Sequence, residues 1–320
     1  MAKVVLLTGG GGFIGRRVVA QLAGRADIEL HAPGRAALDL ADRGAVLRWM
    51  RTHQPEVVLH LAAATAGSAA MRAEPSRYFA ANIDASIGLA AAAEAGVCGR
   101  VVLAHSAGAY PRPAPLGGPG HRLQPGDLWG GPPNAGSYGL SRRAVAGLLA
   151  ASTAVGGSAF VEVTLPTVYG PGDGAPGVDA SQMRAVPAFG LRYLQAVAAG
   201  AGEVQHGGSG FEVRDFLHVD DAAAALVAAI DAPVAGMRLH VSDGVPHQIQ
   251  DVAAALATGA GFAGVTRWLH RAADQRHSDD IVVLEPTGLQ ALGRTPQITL
   301  ADGLVAVLAD LRARLDATSA

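Results

Sequence analysis

The chain has 320 residues but one cysteine, Cys98, and one lysine, Lys3. A lone cysteine excludes an internal disulfide, and its apolar neighbours predict a buried thiol. Net charge is nearly absent, at -2. That removes any bulk electrostatic reason to expect nucleic acid or an acidic membrane surface as partner. Long apolar runs are missing too: stretches such as Ala222 to Ile230 are far too short to span a bilayer. No signal-peptide pattern precedes Val4-Val5-Leu6-Leu7, which is strand-like and runs directly into glycines. The 11 histidines show no paired helical spacing and no acidic partner pattern, so no metal site is expected. With half its residues hydrophobic, the chain reads as a cytoplasmic globular protein with a sizeable core. All 24 other basic residues are arginine, and alanine is abundant, as if one coding bias ran through the whole chain.

In the first half, short β-branched runs alternate with helical stretches, the pattern of a parallel sheet covered on both faces. Strands are expected at Lys3–Leu7, Ile28–Ala32, Val57–Leu61, Arg100–Ala104 and Phe160–Thr164. Helices are expected at Phe13–Ala23, Ala41–Thr52, Pro75–Ala95 and Ser141–Ala154. Between Pro111 and Gly136, 14 of 26 residues are glycine or proline, so this stretch reads as a long loop, a lid or a partner surface. After Gly170 the pattern is less regular, with a glycine-rich break at Gly207–Gly210, and a smaller second region is expected there.

Thr8-Gly9-Gly10-Gly11-Gly12-Phe13-Ile14-Gly15 lies between the first strand and the first helix. Gly9, Gly12 and Gly15 permit a tight turn, close approach of a pyrophosphate, and packing of the helix on the sheet. The N–H groups of Phe13 and Ile14 then face an anion at the helix N-terminus. An NAD site usually places an acid at the end of the second strand; here that end reads Ala32-Pro33-Gly34-Arg35. A guanidinium suits a 2′-phosphate, which favours NADP(H) over NAD(H), unless Arg35 is merely a solvated loop residue. Asp39 and Leu40, just beyond, are placed to address the adenine.

With these residues in view, the sequence resembles the extended short-chain dehydrogenase/reductases over most of its length. His60-Leu61-Ala62-Ala63, Asn82, Ser106 with Tyr110, Tyr138, Tyr169-Gly170-Pro171 and Arg214-Asp215-Phe216-Leu217-His218-Val219-Asp220-Asp221 occur in that family's order. Within it the chain looks most like GDP-L-fucose synthase and related nucleotide-sugar 4-ketoreductases. The resemblance implies a Rossmann-type, doubly wound α/β fold. Residues 1–165 and 211–235 would form the NADP-binding domain, and 166–210 with 236–320 the nucleotide-sugar-binding region. It also implies Ser106, Tyr138 and Arg142 as catalytic residues, with Leu61, Ala62, Ala63 and Arg142 against the cofactor. Arg192, Arg214 and Arg276 would hold a dTDP- or GDP-linked 4-keto-6-deoxyhexose, and a homodimer would form through the helices carrying Asn82 and Tyr138. For Arg276, a solvated surface charge is an equal reading.

Three positions depart from that pattern. Dehydratase relatives carry an acidic pair directly after the serine, whereas Ala107 and Gly108 follow Ser106. The fucose synthases epimerise with a cysteine and a histidine at the positions of Gly108 and Arg184; glycine moves no proton, and arginine stays protonated. The third is Arg142, where the family has lysine. The expected activity is therefore NADPH-dependent 4-keto reduction without epimerisation. A 4-epimerase with tightly held NAD and a catalytically silent binder of dinucleotide or sugar nucleotide are the alternatives.

Overall fold

The computed structural model describes residues 2–113, 116, 120–174, 179–233, 235–269 and 280–319. Its centre is a six-stranded parallel sheet in the order β10-β5-β4-β3-β1-β2. The strands are β1 (Lys3–Thr8), β2 (Ile28–His31), β3 (Val57–His60), β4 (Arg100–Ser106), β5 (Ala159–Leu165) and β10 (Arg238–His240). Helices α1 (Phe13–Leu22), α2 (Arg43–His53), α3 (Ser68–Ala73), α4 (Pro75–Glu94) and α5 (Gly136–Gly156) follow or bridge them. This is the doubly wound, Rossmann-type α/β architecture that the alternating pattern predicts.

The strands are apolar on both faces because side chains alternate across the sheet. Val5 and Leu7 point into a core shared with Val18 and Leu22 of α1 and the alanine-rich helix α7 (Val219–Asp231). Leu6, one residue away, joins Val58, Val101 and Leu103 under α2, α4 and α5. Each such Leu or Val, withdrawn fully from water, contributes about 1.5–3 kcal/mol. Cys98 is buried in the second of these cores.

The rest of the chain builds a region of shorter elements: β6 (Thr167–Tyr169), α6 (Ala185–Ala198), β7 (Glu203–Gly207), β8 (Val213–Arg214), β9 (Phe216–His218), β11 (His247–Gln248), α8 (Ile249–Ala260), β12 (Val265–Leu269), β13 (Ile281–Val282), α9 (Gly288–Ala291) and α10 (Leu300–Ser319). α6, α8 and α10 enclose its own apolar core around Tyr193, Leu256 and Leu308. One segment grouped with the sugar-binding region by sequence lies elsewhere. β10 pairs in parallel with β5, Leu239 opposite Val163, and so completes the central sheet. The apolar Leu239 fills the first core from that edge.

Candidate active site

The strand order reverses between β2 and β3, one on each side of β1. The two strands stay paired to their last residues, Thr8 opposite His60, but the connections leaving their carboxyl ends run in opposite directions and leave a crevice between them. Gly9, at φ +76°, turns the chain there; a Cβ on it would lie 2.8 Å from Ala62 N. A Cβ on Gly15 would lie 2.0 Å from Gly9 O, so α1 seats directly on the turn. Nothing stands within 4 Å of the corresponding position on Gly11, leaving the outer side of the loop open. α1 has neither a capping side chain nor an acid in its first turn, so its N–H groups at Phe13 and Ile14 are free for an anion. The crevice therefore fits the pyrophosphate of a dinucleotide.

Behind the loop, a buried chain of hydrogen bonds fixes its shape. Ala62 N donates to Thr8 Oγ1 at 3.3 Å, and Thr8 Oγ1 meets His60 Nδ1 at 2.7 Å. His60 Nε2 meets Ser86 Oγ at 3.1 Å, and that hydroxyl donates to Asn82 O. The directions close only if His60 is neutral with its proton on Nε2. Burial, helped by the Arg142 cation, pushes its pKa down to about 3. Asn82 in turn joins Ala64, after β3, to Ser141 on α5. Leu61, Ala62 and Ala63 form the half-buried wall facing Gly9.

Beyond β2, Arg35 is 85% exposed and reaches only Asp39, at 3.4 Å. Such an exposed pair holds the guanidinium weakly. Asp39 also accepts from Ala41 N at 3.1 Å, while Leu40 is half-buried against the core under α2.

Ser106 ends β4 and Tyr138 lies in the first turn of α5, which begins at Gly136, five residues before the helix start expected at Ser141. Glycines bring them together. A Cβ on Gly139 would stand 2.1 Å from Gly108 O, so α5 packs backbone against backbone on the turn after β4. A Cβ on Gly108 would stand 3.2 Å from Ser106 Oγ, 3.6 Å from Tyr138 Cε1 and 2.8 Å from Ala135 Cβ. Ser106 Oγ accepts from Gly108 N at 3.1 Å, which leaves its proton available.

Arg142 is 1% exposed. Its Nη2 donates to Ala104 O, while Nε and Nη1 find no partner among the described residues. Buried donors without acceptors are costly, so two together mark a place where a ligand's oxygens belong. Burial lowers the guanidinium pKa, opposed by Tyr138 and Glu162. Arg143, beside it, is used up in the fold. It donates to Ala109 O and Gly131 O, lies over Trp129 at 5.2 Å, and so fastens the glycine/proline loop to α5. That loop contains a turn of 3-10 helix, Pro125–Trp129.

Residues 5–241 match the NAD dependent epimerase/dehydratase family. The chain belongs to that family. It is accordingly an NAD(P)-dependent oxidoreductase. Escherichia coli GDP-L-fucose synthase is 26% identical over 310 residues, covering 94% of each chain. A 3-diazoavenalumate denitrifying reductase from a Streptomyces species is 32% identical over 258 residues, covering 76% of each. Among solved structures, UDP-glucose 4-epimerase of Thermotoga maritima with UDP-glucose superposes with a TM-score of 0.81, covering 98% of this chain and 99% of that one at 23% identity. The last likeness is one of fold.

In the region of shorter elements, two of the arginines expected to hold a substrate are engaged within the fold. Arg192 on α6 donates to His206 Nδ1 at 3.3 Å; His206 Nε2 meets Tyr193 Oη at 3.0 Å, which meets Thr266 Oγ1 at 3.0 Å. His206 is thus a neutral acceptor, its pKa pushed down to about 4 by burial and by Arg192. Arg214 donates to Asp280 O at 2.7 Å, Asp280 Oδ2 at 2.9 Å and Val213 O at 2.8 Å. Arg276 lies outside the described residues. Asp280, as Arg214's partner, escapes sequence reasoning because 66 residues separate them. The buried Glu162, which meets His105 at 3.2 Å and Arg238 at 3.1 Å behind Ser106, escapes it too. A charged residue inside an otherwise apolar strand was its only signal.

Proposed function

We propose that the protein catalyses NADPH-dependent reduction of the 4-keto group of a nucleotide-linked 4-keto-6-deoxyhexose, without 3,5-epimerisation. The observation that carries this reading is the convergence of Ser106 Oγ and the Tyr138 ring, 3.2 and 3.6 Å from one point beside Gly108. A bound nicotinamide supplies hydride to the ketone carbon. The ketone oxygen then gains negative charge; Ser106 donates a hydrogen bond to it, and Tyr138 gives it the proton. The Arg142 charge favours the tyrosinate left behind, and its Nε and Nη1 suit ribose hydroxyls. Arg35, with no acid at the end of β2, favours the 2′-phosphate of NADP(H). Likeness to a GDP-L-fucose synthase over nearly the whole chain supports a GDP- or dTDP-linked sugar, and a homodimer through α4 and α5 belongs to the same reading. Gly108 and Arg184 offer no proton-moving group where the epimerising synthases have theirs.

The test is a panel of nucleotide 4-keto-6-deoxysugars assayed in deuterated water with NADPH and with NADH. Stoichiometric NADPH oxidation without deuterium at the carbons flanking the ketone is expected. Deuterium there overturns the absence of epimerisation; inversion at C4 of a nucleotide 4-hydroxyhexose added to the panel, without net cofactor loss, identifies a 4-epimerase; silence across the panel argues against the reductase.

One observation favours a second reading, reduction of a smaller substrate that carries no nucleotide. Asp280 already occupies Arg214, and the Streptomyces relative is named for a different kind of substrate. Calorimetry with GDP, dTDP and UDP on the NADPH-loaded protein separates the two, since only the first reading requires one of them to bind.

A further inference from the structure

Arg184 stands where the resemblance places a proton-moving histidine, and the fold gives it different company. It precedes α6, and its Nε donates to Asp173 Oδ1 at 3.0 Å, with Nη2 on the same oxygen. The guanidinium lies over the ring of Phe13, 4.6 Å from its centroid. Phe13 is the first residue of α1, so the cation sits within one side chain's length of the helix's free N–H groups. Its Nη1 makes no hydrogen bond among the described residues, and the side chain as a whole is 34% exposed. α1 also grips the turn that carries Asp173: Arg16 donates to Gly172 O at 3.0 Å and Arg17 to Pro171 O at 3.1 Å. That a ligand belongs at this end of the sheet is argued independently by Arg142, buried with two donors unpartnered.

We propose that Arg184 is a clamp on the cofactor's diphosphate: this position has exchanged proton transfer for cofactor retention. Phe13 fixes the plane of the guanidinium by cation–π contact, and Asp173 fixes its direction. The free Nη1 edge then meets a dianion that the N-terminus of α1 holds from the other side. The proposal rests on the dinucleotide reading of the crevice and is independent of the sugar substrate.

Binding, measured by calorimetry on the full chain, tests it. Two ligands are compared: NADPH, which has the diphosphate, and adenosine 2′-monophosphate, which lacks it. Arg184→Ala is expected to weaken NADPH about tenfold while changing the monophosphate by less than about twofold. Arg184→Gln, which keeps a hydrogen bond to Asp173 but no charge, should do the same, and Arg184→Lys should fall between. Equal losses on both ligands would make Arg184 a strut of the fold, and no loss on either would place its cation out of reach; each overturns the proposal. If the wild-type protein prefers NADH, the 2′-phosphate reading fails, and the same ratio, taken with NADH against adenosine, still decides for or against Arg184.

Discussion

At the dinucleotide end of the site, backbone meets backbone and cations are left open. Gly9 and Gly15 allow contacts that a single methyl group would block, Arg35 stands in solvent, and Arg142 keeps two donors unpaired among the described residues. At the end proposed to hold the substrate the arrangement is reversed: Arg192 leans on His206, and Arg214 spends three hydrogen bonds on Val213 and Asp280. A ligand at the first end completes bonds that the protein lacks. One at the second end must compete with bonds already made. The difference implies tight, preformed cofactor binding and weaker substrate binding that pays for displacing internal partners.

The largest expected effects lie where the open end meets the chemistry. Tyr138→Phe should lower turnover by about 10²–10⁴ without weakening NADPH, because only the proton donor is lost. Arg142→Ala should bring turnover near the same floor, while Arg142→Lys should preserve or raise it. If neither Arg142 variant changes kcat, the unpaired donors serve no cofactor and the contrast between the two ends collapses.

Acid tests both ends together, since at each a buried histidine is held neutral by its burial and by a neighbouring arginine. Burial holds His60, His206 and His240 at about 3, 4 and 4, with Arg142 lowering the first and Arg192 the second. Below the unfolded value of about 6.5, the unfolded chain takes up protons that the folded one refuses, so stability falls with pH. Asp215 acts oppositely: burial raises it to about 6, and the folded state keeps a proton there that the unfolded carboxylate lacks. Between pH 6.5 and 5.5 each histidine costs about 1 kcal/mol and Asp215 offsets rather less, a net loss of about 2 kcal/mol. Urea midpoints at the two pH values measure it; equal midpoints would mean that these histidines are hydrated.

The smallest effects sharpen the comparison most. On the nucleotide-sugar reading, Arg214→Ala should raise KM about tenfold, whereas Asp280→Asn should lower it severalfold by freeing Arg214 from an internal rival, with kcat little changed in both. If Asp280→Asn raises KM instead, Asp280 positions Arg214, and the two ends are more alike than their contacts suggest.

Much of this was legible in the sequence for particular reasons. Apart from the short helix α3, which the pattern did not give, and the start of α5, strand and helix positions through Leu165 follow from apolar runs set between turns, and the glycine loop lies where its spacing puts it. The start of α5 was not legible. Gly136, Ser137 and Gly139 are poor helix formers, and what makes them helical is the contact of Gly139 with Gly108, 31 positions away. The inward turn of Arg142 was hidden too, because its neighbour Arg143, of the same type, is equally buried but spends its donors on loop carbonyls. Nor could the pattern give β10 its place at the sheet edge: three residues, two of them Arg238 and His240, look nothing like a core strand. Partners far apart in sequence, such as Arg214 with Asp280, carry no local signal at all.

The small gap beside Gly108 also bears on how this protein can change. A side chain there would press on Ala135 Cβ at 2.8 Å before it reached any substrate. Placing a cysteine at position 108 would thus require Ala135 to shift, and would disturb a contact beside Tyr138. For a protein engineer, a cysteine at this position would have to come with a change that makes room for it.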